Sequence, residues 1–134
     1  MKSIKDMTEE VRSWAEEKGW RGEDAPARTF GDDMALLHSE VSEAVEAFRK
    51  HKLVAWQDVL CTDGTTMTIY ANRGRDEYVQ PGQHKPEGVP SELADVFIRL
   101  LDDCAEYGID LEAEYEAKMA YNRNRSIRHG GKHL

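Results

Sequence analysis

Residues 91–108 read Ser91-Glu92-Leu93-Ala94-Asp95-Val96-Phe97-Ile98-Arg99-Leu100-Leu101-Asp102-Asp103-Cys104-Ala105-Glu106-Tyr107-Gly108. Leu93, Val96, Phe97, Leu100, Leu101 and Cys104 recur at three- and four-residue steps, which is the period of one helical face. Ser91 in front suits an N-cap, and Tyr107-Gly108 behind is a C-terminal stop. The spacing predicts a helix over 91–107. Glu92 and Asp95 flank its apolar face and, being three apart, are neighbours on the helix surface.

Downstream, Asp110 suits the cap of a further helix running through Met119 to about Arg125, and the basic tail 126–134, with Gly130-Gly131, reads as flexible. Upstream, the Pro and Gly content of 73–90 predicts an exposed loop. Before it, Val54–Asn72 is rich in Val, Thr, Ile, Tyr and Trp around Asp63-Gly64, the two-residue turn signal of a β-hairpin. Asp32 or Asp33 opens a second helix to about Lys50, and 20–31 reads as its leading connection. Ile4, Met7, Val11 and Trp14 mark a first amphipathic helix ending at Lys18-Gly19. The expectation is one all-α, four-helix bundle-like domain over 1–134, with a hairpin and loop inserted at 51–90 between helices two and three.

Composition bounds the function. The chain has 134 residues, a length suited to one domain, and its 40% apolar content with three Trp can build a core. Lys and Arg number 18 against 26 Asp and Glu, for a net charge of −8. The charge is uneven: 92–116 hold nine acids and one base, 117–134 five bases and no acid. An acidic balance argues against duplex nucleic acid as the main partner, because phosphate contacts need clustered Lys and Arg. No run approaches 18 apolar residues and the charged start, Met1 to Asp6, lacks a secretion signal, so neither membrane nor export is expected. Cys61 and Cys104 are too few for a disulfide framework and have no metal-type spacing, which points to a cytoplasmic setting.

On the second helix, Leu36, Leu37, Val41, Ala44, Ala47 and Phe48 form an apolar arc at about 100° per residue. Glu40 falls inside that arc and Glu43 on its rim, while Glu46 points away. A carboxylate in a core is costly without a partner, and a divalent cation is one such partner. With Glu92 and Asp95, two such pairs on packed helices would gather four carboxylates, tolerated together only around cations. All-oxygen ligands favour Mg²⁺ or Mn²⁺ over zinc. Acidic pairs are also common on solvated faces, and the residues alone leave both readings open. There is no ExxH pair of a di-iron bundle, no GxSxG and no P-loop.

On the fourth helix, Tyr115, Lys118, Asn122 and Arg125 share a stripe with Leu111. Lys offers a point charge and Arg a planar fork, both suited to phosphate oxygens. Equally, the two bases complement the helix C-terminus. His129 and His133 would close over a polyphosphate or belong to a free tail, and the residues favour the tail. Trp20 and Arg28-Thr29-Phe30 would line a base pocket, although packing explains them more simply.

Glu40-Val41-Ser42-Glu43, Glu92-Leu93-Ala94-Asp95 and Lys118-Met119-Ala120-Tyr121-Asn122-Arg123-Asn124-Arg125 resemble the ExxE, ExxD and KxxxNxxR elements of the MazG-like nucleoside triphosphate pyrophosphohydrolases, the all-α NTP pyrophosphatases. Each element alone is weak, and their order together is fairly specific. The resemblance implies the all-α pyrophosphatase fold and Mg²⁺-dependent cleavage of an NTP or dNTP to a monophosphate and pyrophosphate. It also implies a homodimer or homotetramer. Carried over by position, Glu40, Glu43, Glu92 and Asp95 would hold metal, and Lys118, Asn122 and Arg125 would contact phosphates. Glu43, on the rim, is the expected general base. The spacer 44–91 is longer than the short connection usual in the family. A second reading keeps the fold without turnover, as a helical nucleotide-binding or protein-interaction module.

Overall fold

The computed structural model describes residues 1–51, 55–60, 63–71 and 85–126, with the backbone alone at residue 51 and in the strands. Most of the expected 73–90 loop, the tail from 127 with His129 and His133, and Cys61 lie outside the described residues. Four helices make the class all-α: α1 (Ile4–Glu17), α2 (Phe30–His51), α3 (Val89–Glu106) and α4 (Leu111–Arg123). Between α2 and α3 run two antiparallel strands, β1 (Ala55–Leu60) and β2 (Thr66–Ala71), in register from Ala55 opposite Ala71 to Leu60 opposite Thr66.

Residues 61–65 separate the last paired positions, so Asp63-Gly64 sits inside a longer connection and not in a two-residue turn. Asp63 Oδ1 accepts from the Thr65 amide at 2.9 Å and from the Thr65 hydroxyl at 2.6 Å. Gly64 takes φ 84°, a left-handed conformation that glycine adopts without steric cost.

Local chemistry sets the helix ends. Ser3 starts α1 with a capping box: the Asp6 amide donates to Ser3 Oγ at 3.1 Å and the Ser3 amide to Asp6 Oδ2 at 2.9 Å. Helix α2 begins at Phe30, ahead of the expected Asp32 or Asp33, because Thr29 does the capping. Its hydroxyl accepts from the Asp32 amide at 3.1 Å and its own amide donates to Asp32 Oδ2 at 2.8 Å. Asp33 is then free to turn inward, where Arg28 Nε donates to its Oδ1 at 2.8 Å.

Helix α3 begins at Val89, not after Ser91, and the Ser91 hydroxyl instead donates to the Pro86 carbonyl at 2.9 Å. Pro90 falls in the first turn, where its missing N–H is no loss. Asp110 caps α4 by accepting from the Ala113 amide at 3.0 Å. The helix stops at Arg123 with Asn124 as its C-cap, so Arg125 lies beyond it rather than on its last turn.

The chain divides into two compact units. One joins Met1–Pro26 to the chain from Leu101 onward and contains α1, the end of α3, and α4. Ala15, Leu101 and Cys104 are its buried apolar residues. Arg21 clamps two carboxylates there: Nη2 lies 2.9 Å from Asp102 Oδ2 and 3.1 Å from Asp103 Oδ1, and Nε bonds Asp102 as well. Both aspartates are buried, and a fork of this kind is what makes two adjacent buried acids tolerable.

The other unit, Ala27–Leu100, contains α2, the strands and the first part of α3. Its apolar arcs are filled less than the wheels predict. On α2 only Ala44 and Ala47 of the arc are buried, with Val41 and Phe48 exposed; on α3 Leu93 and Phe97 are exposed. Leu36 and Leu37 of α2 and Val96 and Leu100 of α3 are half-buried.

Candidate functional site

Helices α2 and α3 bring three of the four expected metal ligands together. One carboxylate oxygen each from Glu40, Glu43 and Glu92 lies within 4.8 Å of the others. Asp95 is not part of that close group, although it is near enough for Glu40 and Glu43 to act on its charge. The i, i+3 spacing within each pair puts both members on one side of their helix, and the facing pairs meet. Glu40 is mostly buried, with 15% of its side chain exposed; Glu43 is exposed, Glu92 buried and Asp95 half-buried.

The electrostatics follow from that crowding. Burial pushes the Glu92 carboxyl above its ordinary value of 4.5, and the charges of Glu43 and Asp95 push it further, with Lys85 opposing. Burial likewise raises Asp95 above 3.8, reinforced by Glu40 and Glu43 and offset by Lys85 and Arg99. Lys85, in the segment leading into α3, pairs with Glu87 at 3.3 Å, and that bond holds its ammonium above its ordinary range. The crowding that raises Glu92 and Asp95 is one that a hard divalent cation would relieve, and a carboxylate-only donor set suits Mg²⁺ or Mn²⁺.

Arg99 escaped the sequence reading as a member of this site. Its Nη2 donates to Glu40 Oε1 at 2.8 Å, joining α3 to α2 through a largely buried pair. A signal for it was present: Arg99 follows Glu92 by seven residues and Asp95 by four, the spacing of a single helical stripe, and it is the one base between 92 and 116.

The expected phosphate contacts lie in the other unit. Lys118 and Asn122 are exposed on α4, which has no buried residue, and Arg125 stands past the C-cap with its guanidinium 5.7 Å from the Tyr121 ring centroid. At the start of α4, Glu112 accepts from the Lys5 amide at 3.2 Å. Of the candidate base-pocket residues, Thr29 and Arg28 are engaged in starting α2 and holding Asp33, while Trp20 and Phe30 are exposed.

No family model, curated protein or solved structure matches the chain. Among the described residues no helix is long and apolar enough to cross a membrane.

Proposed function

We propose that this chain is a Mg²⁺-dependent nucleoside triphosphate pyrophosphohydrolase, cleaving an NTP or dNTP to its monophosphate and pyrophosphate in upkeep of the nucleotide pool. The observation that carries the reading is the convergence of Glu40, Glu43 and Glu92 across two helices, with Asp95 beside them. Their order and spacing are those of the ExxE and ExxD elements. Bound there, a divalent cation would offset phosphate charge and lower the pKa of a coordinated water.

The protein's own residues divide the remaining work. Glu40 and Glu92 are less exposed than Glu43, and Glu40 is held by Arg99, a restraint of the kind that preorganises a ligand. Glu43 is exposed and has room to accept a proton, on a carboxylate oxygen, from a water attacking phosphorus. As the water's oxygen bonds to phosphorus, the α–β anhydride bond breaks and pyrophosphate leaves. Lys118, Asn122 and Arg125 supply the donors for phosphate oxygens in this reading. With the activity we propose a homodimer or homotetramer, supported by the large apolar side chains left exposed on α2 and α3.

The test is pyrophosphate release from a panel of canonical and modified NTPs and dNTPs with Mg²⁺. Glu40→Gln and Asp95→Asn should each lose more than the roughly 10–100-fold that removal of an outer-shell metal partner costs. Wild-type turnover in both variants would sink the reading. Mg²⁺-dependent nucleotide binding without product in the wild type would instead mark a nucleotide-binding module.

A further inference from the structure

Arg99 forms an ion pair with this carboxylate cluster, its Nη2 lying 2.8 Å from Glu40 Oε1. The pair is largely withdrawn from water, with side chains 26% and 15% exposed, so it is screened far less than a surface bridge. The guanidinium is always charged, and its rigid donors fix the direction of the carboxylate they hold. Hydrogen bonding at Glu40 Oε1 restrains the rotation of the whole carboxylate, including Oε2.

Resting on the pyrophosphohydrolase reading, we propose that Arg99 is a positioning residue that orients the Glu40 carboxylate and acts as a built-in countercharge limiting how tightly the cluster holds a divalent cation. The two effects separate by substitution. Arg99→Gln removes the charge, so the carboxylates attract a cation more strongly. Arg99→Lys keeps the charge and gives up the planar direction.

Mn²⁺ binding to the 134-residue chain, followed without nucleotide by the loss of the free-ion spin-resonance signal, reads the first effect. Arg99→Gln should bind Mn²⁺ at least about fivefold more tightly, because loss of the neighbouring unit positive charge removes a Coulomb repulsion on a divalent ion of about 1 kcal/mol even at the dielectric of water. Arg99→Lys should stay within about twofold of wild type, and its kcat should fall roughly tenfold at unchanged KM because Glu40 is no longer oriented. Affinity in folded Arg99→Gln equal to or below that of the wild type overturns the inference and leaves the enzymatic reading standing. Should Arg99→Gln not fold, an unaltered kcat in Arg99→Lys overturns it. Failure of the wild type to bind Mn²⁺ removes the pyrophosphohydrolase reading and this inference together.

Discussion

Glu92 and Asp95 carry the sharpest conflict in the molecule, since each is an acid drawn out of water and set against other acids. Raised carboxyls mean that the folded state holds protons more tightly than the unfolded chain. The stability they contribute is therefore complete below their ordinary values of 4.5 and 3.8 and is lost as pH rises through their folded values. Asp6, Asp32 and Asp63 run the other way: hydrogen bonds from Ser3, Thr29 and Thr65 lower them, so their contribution is present above 3.8 and lost as pH falls through their folded values. The two windows do not overlap. A cation that binds only ionised carboxylates should recover at neutral pH what Glu92 and Asp95 give up there. Thermal melting with and without Mg²⁺ should thus show a larger Mg²⁺-induced rise in Tm at pH 7.5 than at pH 5. An equal rise at both pH values, or none in wild type alongside Glu92→Gln, would count against ligation by this cluster.

At the scale of the element, periodicity and capping chemistry made the helices legible, and the departures cluster at their starts. Helix α2 shows why: Asp32 and Asp33 look like caps, yet Thr29 lies one box earlier and leaves Asp32 as its reciprocal partner and Asp33 as a buried acceptor for Arg28. Both choices satisfy the same orphan amides, and only the tertiary demand of Arg28 decides between them. The carboxylate pairs were legible because a wheel exposes an acid inside an apolar arc. Arg99 shares the stripe of Glu92 and Asp95, but its pairing with Glu40, the Arg21 clamp and the burial of Asp102 and Asp103 were not legible, because ion pairs across elements depend on which helix faces meet. The cap has a measurable consequence. Thr29→Ala should cost about 1 kcal/mol in urea unfolding, in line with N-cap Thr losses elsewhere, while Thr29→Ser should restore most of it. An unchanged midpoint in Thr29→Ala would mean that the start of α2 is held by the Arg28–Asp33 pair alone.

For the molecule as a whole, a net charge of −8 hides an acidic stretch over 92–116 and a basic one beyond it, and the exposed surface is not uniformly polar. Single exposed apolar side chains are ordinary, but Val41, Val45 and Phe48 follow one another at four- and three-residue steps on α2. Leu93 and Phe97, four apart, repeat the pattern on α3. A stripe of this kind, in a chain with 40% apolar residues of which few are buried among the described residues, is what a two-fold contact between copies would cover. Val45 tests it cleanly, since half of its surface is exposed in the single chain and its substitution should leave the fold within about 0.5 kcal/mol of wild type. Light scattering on the eluting protein should give a dimer or tetramer mass for the wild type and a monomer mass for Val45→Glu, because a closed contact buries the new carboxylate without a partner. A wild type that elutes as a monomer at micromolar concentration would remove the self-association proposal, and its pyrophosphate release, measured on the same fraction, would show whether one copy suffices for turnover.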